Sequence, residues 1–156
     1  ARAYGLAVSK AQDKQMIKLL SELLLGVSQE LVLHDSYAKK WGINLKFKSI
    51  EPATKNYTDF LKEVSQQNNL IEIMCAMAPC MRLYAWIGKS LENDVINNPY
   101  KEWIETYSDK SFENLAKKLE NLIDNSTQSS KGHNLNYFYK KAMELELGFF
   151  NAYSDF

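Results

Sequence analysis

The sequence has few of the residues that most often interrupt helices. Its 156 residues include six glycines and three prolines. Because glycine and proline mark the turns between short strands, their scarcity argues against an all-β fold. The apolar residues instead recur at intervals of three and four, which is typical of amphipathic helices. The sequence therefore predicts an all-α protein.

The chain also has no net charge and only two cysteines. The 19 basic and 19 acidic side chains cancel, so charge gives no reason to expect nucleic acid or an anionic membrane as a partner. The two cysteines, Cys75 and Cys80, have the spacing of neither a metal motif nor a redox pair. We expect both to be reduced thiols in a cytoplasmic protein. The longest apolar run, Leu70 to Met81, contains Glu72 and is too short to span a bilayer.

The periodic segments predict one helical bundle over residues 1–156. The segment that starts at Leu70 is apolar nearly all round, which places it at the centre of the bundle. Residues 1–8 have helical spacing without a preceding cap, so we expect the chain to start inside a helix and the domain to be truncated at its N-terminus. The other predicted helices cover about 11–41, 52–67, 70–91, 99–107, 111–123 and 135–153, with an extended connector at 45–49, a helix cap at Ser111 and a polar loop at 126–132.

Pro79 and Cys80 interrupt the pattern of the central helix. A proline there removes one backbone donor and presses on the carbonyl of Cys75, at a cost of about 3 kcal/mol or more. Tyr84 shares a helix face with Cys80, four residues earlier. Cys80 is a candidate nucleophile if positive charge or a polar partner favours its thiolate, although Arg82 faces elsewhere. The alternative is a small buried apolar side chain.

Two carboxylates lie on helix faces where they could serve a site. Glu146 lies beside the apolar stripe of the last helix, where a carboxylate is paired, solvated or bound to a ligand; spacing alone favours solvation at the edge. Glu30 and His34 are four residues apart and could supply two metal ligands, as in a metal-dependent oxidase. No matching Glu-x-x-His appears elsewhere, and we favour a structural hydrogen bond for His34.

Four short motifs occur together along the chain. They are Thr54 to Thr58 with Tyr57, Pro79-Cys80 with Tyr84, Tyr100 to Tyr107, and Glu146 to Phe150. In combination they resemble the TenA family, the thiaminase II enzymes with a haem-oxygenase-like all-α fold, except that Phe150 replaces a family Trp. Ala1 to Lys10 is most similar to fungal members, in which the domain is often fused behind a pyrimidine kinase in trifunctional thiamine-pathway proteins.

The resemblance implies a reaction in thiamine salvage. Cys80 would attack the aminopyrimidine ring of thiamine, or of its degradation product aminomethylpyrimidine, and water would release hydroxymethylpyrimidine. Glu146 would contact the ring nitrogen and shuttle protons, and Tyr84 would hydrogen-bond near the sulfur. The substrate-binding residues would be Tyr57, Tyr107 and Phe149. No metal or other cofactor is implied.

The resemblance also implies what surrounds this site. Family members carry helices before the position of Ala1, including an Asp that binds the exocyclic amine of the pyrimidine. Without them we expect an incomplete pocket and a hydrolase that is impaired as an isolated piece. A non-catalytic pyrimidine-binding or assembly module is the alternative. The family implies a cytoplasmic homotetramer that acts on a small molecule, with a possible kinase domain upstream.

Overall fold

The computed structural model, which describes residues 1–127 and 134–153, is a bundle of α-helices. Within those residues it contains no strand. This confirms the all-α class. The helices are α1 (Arg2–Lys10), α2 (Lys14–Lys40), α3 (Pro52–Gln67), α4 (Leu70–Ser90), α5 (Lys101–Ser108), α6 (Lys110–Thr127) and α7 (Leu135–Asn151), with a 3-10 helix at Leu45–Phe47. Most of the polar loop expected at 126–132 lies outside the described residues.

Two local predictions were wrong, and side-chain acceptors explain both. The expected extended connector contains the 3-10 turn Leu45–Phe47, because the Asn44 side chain accepts the backbone N–H of Lys46 at 3.1 Å. Helix α6 begins before the expected cap at Ser111. The Asp109 carboxylate accepts the backbone N–H of Ser111 at 2.7 Å, so Asp109 supplies the capping acceptor.

Helix α4 begins with a capping box that accounts for the one acidic residue in its apolar run. The Asn69 side chain accepts the N–H of Glu72 at 3.1 Å, and the Glu72 carboxylate accepts the N–H of Asn69 at 3.2 Å. Each side chain satisfies a backbone donor of the first turn that has no partner within the helix. The polar residue therefore belongs to the start of the helix.

Helix α4 continues through Pro79 and reaches Ser90, 21 residues in all. It is thus longer than the apolar run read from the sequence, and among the described residues it is the one helix whose length and composition would allow a membrane span. Most of it is buried inside the bundle, as in the core helix of a soluble protein. Helices α6 and α7, which pack against it, contribute the fully buried Leu119 and Ala142.

Different faces of α4 pack against different helices. Arg82 is directed to α6, where it pairs with Glu113 at 2.8 Å and with Glu120 through two guanidinium nitrogens. This agrees with the expectation that Arg82 does not serve Cys80. At Gly88 the backbone of α5 lies so close that an added Cβ would be 2.5 Å from the carbonyl carbon of Tyr107. The glycine therefore sets the α4–α5 crossing.

Candidate functional site

Cys80, Tyr57 and Glu146 come together from α4, α3 and α7. The Glu146 carboxylate interacts with both the Tyr57 hydroxyl and the Cys80 thiol. Helices α3 and α7 both pack against α4, which brings three side chains that are distant in sequence to one place. We call this group the polar cluster. It unites three of the six site residues that the motifs indicate.

Glu146 is buried, with 1% of its surface exposed. The solvated-edge interpretation of this residue was therefore wrong: its side of α7 faces α3 and α4 rather than water. The hydroxyl of Tyr57 and the thiol of Cys80 are close enough to favour the charged carboxylate. Yet Glu146 Oε1 and the Tyr57 hydroxyl are buried without a hydrogen bond of normal geometry in the described part of the chain.

Such unpartnered atoms are costly in a protein interior, since each has lost its water without gaining a protein partner. Burial raises the pKa of Glu146, while Tyr57 and Cys80 partly offset this effect. A carboxyl group whose pKa is raised toward neutrality is suited to accept and return a proton. The polar cluster therefore has an acid–base group and unfilled hydrogen-bonding capacity in one place.

The environment of Cys80 favours its protonated form. Burial raises the pKa of this thiol well above its ordinary value, and the negative charges of Glu146 and Glu30 raise it further. Cys75 is a buried core residue, and burial raises its pKa to about 11. Cys80 differs from Cys75 because it is partly exposed and has a carboxylate beside it to take its proton.

Tyr84 and Tyr107 belong to a cluster of aromatic rings beside the polar cluster. Their ring centroids are 5.1 Å apart in an edge-on arrangement. Trp103 lies 4.7 Å from Tyr107 and 5.7 Å from Tyr84, and Phe150 lies 6.1 Å from Tyr84. Phe149 contacts Phe150, with 5.7 Å between the ring centroids. We call Tyr84, Trp103, Tyr107 and Phe150 the aromatic cluster.

A cavity of about 520 Å³ opens against the aromatic cluster. Tyr84, Tyr107 and Phe149 are among the residues that line it, whereas Cys80, Glu146 and Tyr57 are not. The motif residues are therefore arranged in two adjoining groups, a polar cluster and an aromatic cavity wall. Tyr84 connects them, since it lies one turn after Cys80 and its hydroxyl is influenced by charge on the Cys80 sulfur.

Three neighbours of this site were missed or misread in the sequence. Tyr4 of α1 is buried close enough to Cys80 and Tyr57 to interact with both, but its position in the first helix gives no sign of this. Trp103 lies within the motif Tyr100 to Tyr107 and was not singled out. Glu30 was considered only as a metal ligand, whereas its carboxylate accepts a hydrogen bond from the Tyr107 hydroxyl at 2.6 Å.

The metal interpretation of Glu30 and His34 does not fit their surroundings. Among residues 1–127 and 134–153, no three His, Cys, Asp or Glu side chains are grouped so that they could hold a metal ion. Glu30 is bonded to Tyr107, and His34 is an exposed residue at the wall of the 520 Å³ cavity. The structural hydrogen bond favoured for His34 is not seen among the described residues either.

Comparison with known proteins identifies relatives of this chain. The chain is 34% identical over 178 residues to "Bifunctional TH2 protein, mitochondrial" of Arabidopsis thaliana, covering 97% of this chain and 29% of that protein. It is 34% identical to the aminopyrimidine aminohydrolase of Halalkalibacterium halodurans, covering 80% and 58%. The Saccharomyces cerevisiae hydroxymethylpyrimidine/phosphomethylpyrimidine kinase THI20 is 24% identical, covering 97% and 30%. The chain thus spans less than two thirds of each of these relatives.

The fold also matches solved structures. A TenA family transcription regulator from Silicibacter superposes with a TM-score of 0.84 at 25% identity, over 97% of this chain and 73% of that one. The sequence model of the TENA/THI-4/PQQC family matches residues 1–155. On the strength of a match that covers nearly the whole sequence, the chain belongs to the TENA/THI-4/PQQC family.

Proposed function

We propose that the protein is a cysteine-dependent hydrolase that cleaves thiamine or aminomethylpyrimidine to hydroxymethylpyrimidine in thiamine salvage. The observation that carries the proposal is the polar cluster, in which the thiol of Cys80, a residue of intermediate burial, lies beside a buried carboxylate. The Halalkalibacterium relative is named aminopyrimidine aminohydrolase, which supports aminopyrimidines as the substrate class. The chain spans 29% of the Arabidopsis relative and 58% of the Halalkalibacterium relative, and the proposal concerns the activity of the whole protein.

In the first step, Cys80 transfers its proton to the Glu146 carboxylate and its sulfur bonds to a ring carbon of the aminopyrimidine. The displaced ring electron pair forms a double bond to the exocyclic methylene group. The methylene–nitrogen bond breaks as this double bond forms, and the nitrogen keeps the electron pair. From thiamine the leaving group is neutral thiazole, and Glu146 releases its proton to solvent before the second step. From aminomethylpyrimidine the leaving group is ammonia, and Glu146 supplies the proton for it.

In the second step, water replaces the leaving group. Its oxygen bonds to the methylene carbon while Glu146 accepts a proton, the ring recovers its electron pair, and the carbon–sulfur bond breaks. A proton returns to Cys80, which restores the thiol. Overall, one water molecule is consumed. Thiamine yields thiazole and one proton, whereas aminomethylpyrimidine yields ammonia. Glu146 is suited to both directions of proton transfer because burial raises its pKa.

The remaining motif residues position the substrate in this proposal. Tyr57 would supply a hydrogen bond beside Glu146, since its buried hydroxyl makes no hydrogen bond of normal geometry among the described residues. Tyr84 and Tyr107 would bound the ring from the aromatic cluster, with Phe149 as a further apolar wall. The cavity of about 520 Å³ is large enough for a small heterocycle.

Several broader expectations remain predictions. A kinase domain upstream is supported by the match to the yeast kinase THI20, of which this chain covers 30%. The homotetramer and the cytoplasmic location are predictions from family resemblance. The Arabidopsis relative is named as a mitochondrial protein, so members of this family need not share one location.

A non-catalytic pyrimidine-binding module is the second candidate. The observation that favours it is the environment of Cys80, in which burial and two carboxylates oppose formation of the thiolate. The Silicibacter protein that this fold matches is described as a transcription regulator rather than as an enzyme. This candidate predicts tight binding of an aminopyrimidine and no chemical change.

The experiment that separates the two candidates follows hydroxymethylpyrimidine by chromatography. The full-length protein is incubated with thiamine and with aminomethylpyrimidine, and ligand binding is measured in parallel. We expect release of hydroxymethylpyrimidine with equimolar thiazole or ammonia over many turnovers. Binding of either compound without product would overturn the hydrolase and support the binding module.

A further inference from the structure

The hydrogen bond between Glu30 and Tyr107 joins two helices across the aromatic cluster. Tyr107 lies on α5 and Glu30 on α2, 77 positions earlier, and their oxygens are 2.6 Å apart. Tyr107 is buried, with 5% of its surface exposed. A short hydrogen bond to a carboxylate is about twice as strong as one between neutral groups. The orientation of the Tyr107 hydroxyl is therefore controlled from α2.

The packing around Tyr107 fixes its ring independently of Glu30. Trp103 and Phe112 lie 4.7 and 4.9 Å from it, and the Tyr84 ring lies 5.1 Å away. The backbone of Tyr107 rests directly on Gly88. Because its neighbours hold the Tyr107 ring, only the direction of the hydroxyl proton remains to be set.

The two partners face different spaces. Tyr107 lines the 520 Å³ cavity, whereas Glu30 lines a separate cavity of about 240 Å³. The carboxylate thus binds the proton of Tyr107 without entering the larger cavity. A phenol whose only proton is engaged in this way can offer a ligand nothing but its acceptor lone pairs. Polarisation by the carboxylate also makes the phenol oxygen a stronger acceptor.

We propose that Glu30 is a positioning residue that engages the Tyr107 proton and so makes the Tyr107 oxygen an acceptor for a hydrogen-bond donor of the ligand. In the ligand class of the proposed function, on which this inference rests, the donor is an amino or hydroxyl group of an aminopyrimidine. Tyr107 contacts the ligand, and Glu30 acts through Tyr107. The pair therefore favours ligands that donate a hydrogen bond to the Tyr107 oxygen over ligands that can only accept one.

Electrostatic contacts place this pair within the same site as Cys80. Charge on Glu30 acts on the Cys80 thiol and on the Tyr84 hydroxyl, and charge on Cys80 acts on the hydroxyl of Tyr107. Burial raises the pKa of Tyr107, and the hydrogen bond to Glu30 raises it further, so the phenol keeps its proton throughout the physiological range. The carboxylate therefore polarises this phenol without taking its proton.

The test is a mutant cycle in the full-length protein with Glu30→Gln, Tyr107→Phe and the double variant. Affinity for hydroxymethylpyrimidine is measured by calorimetry, because this ligand is uncharged and its binding needs no turnover. We expect Glu30→Gln to weaken binding about tenfold, and to have no further effect when Tyr107 is already Phe. Glu22→Gln on the same helix, whose carboxylate pairs with Lys118 at the surface, is the matched control and should bind normally.

A second readout detects the hydrogen bond itself. In protein labelled with ¹³C at the phenol carbon of tyrosine, the Tyr107 resonance, assigned with Tyr107→Phe, should shift in Glu30→Gln and not in Glu22→Gln. Unchanged affinity in Glu30→Gln, an equal loss in both backgrounds, or an unshifted resonance would overturn the inference. Binding that follows the expected cycle without turnover would leave the inference standing and remove the hydrolase.

Discussion

At the scale of single residues, the central feature is a carboxylate that opposes ionisation of the thiol beside it, while the neutral thiol favours the charged carboxylate. Glu146 raises the pKa of Cys80, and burial raises the pKa of both groups. The resting pair therefore favours a neutral thiol with a nearby proton acceptor. Such a pair is suited to nucleophilic attack in which the proton leaves as the sulfur bonds to the substrate.

This arrangement predicts the pH dependence of alkylation at Cys80. Iodoacetamide reacts with the thiolate, so in a Cys75→Ala background the rate should still be rising above pH 9.0, the ordinary thiol value. Glu146→Gln removes a negative charge that raises the pKa, which increases the thiolate fraction. We expect alkylation several-fold to about tenfold faster at a given pH, since one pKa unit changes that fraction tenfold below the midpoint.

Glu144→Gln provides the control for this measurement. Glu144 is on the same helix as Glu146, but it is exposed and pairs with Lys141 at 3.7 Å, as expected for a surface residue. Its replacement should leave the alkylation rate unchanged. A rate that levels off near neutral pH, or one that Glu146→Gln slows, would show that the carboxylate does not oppose the thiolate.

At the scale of helices, the site depends on how closely α5 approaches α4. Gly88 lies one turn after Tyr84, and an added Cβ would meet the backbone nitrogen of Ser108 at 2.6 Å as well as Tyr107. Gly88→Ala should therefore destabilise the protein by about 1–3 kcal/mol, the usual cost of overpacking. The free energy of unfolding in urea measures this effect.

Gly26→Ala is the matched control for that experiment. Gly26 is also inside a helix, but nothing lies within 4 Å of an added Cβ. Alanine there should stabilise the protein by roughly 0.5–1 kcal/mol, because it costs less backbone entropy than glycine. If both variants are equally stable, the close packing at Gly88 does not set the crossing of α4 and α5.

The helices themselves could be predicted because their apolar spacing is local information. Residues 52–67 and the start at Leu70 agree with the structure. The burial of Glu146 could not be predicted from spacing, since it depends on α3 and α7 packing against the same face of α4. The Glu30–Tyr107 hydrogen bond spans 77 positions, and the spacing of Glu30 from His34 suggested a different role. Side-chain caps at Asn44 and Asp109 altered two local boundaries for a different reason: each bonds a backbone N–H only two residues away, and apolar spacing carries no information on such bonds.

At the scale of the whole molecule, the motif residues converge because α4 lies at the centre of the bundle. Helices α1, α3, α5, α6 and α7 all pack against it, so side chains from several of them can approach Cys80. The resemblance of short motifs was informative because it pointed to residues that only the folded chain brings together. Their catalytic and binding roles are proposals, and the catalytic roles all depend on the nucleophile Cys80.

The most direct measurement is the rate of hydroxymethylpyrimidine release by full-length Cys80→Ser. Serine keeps the size of the side chain but is a far weaker nucleophile, so we expect a loss on the order of 10³-fold or more. Cys75→Ala, which changes the buried thiol five residues earlier, should retain turnover if the variant remains folded. Turnover by folded Cys80→Ser at the wild-type rate would contradict the proposal that Cys80 is the nucleophile.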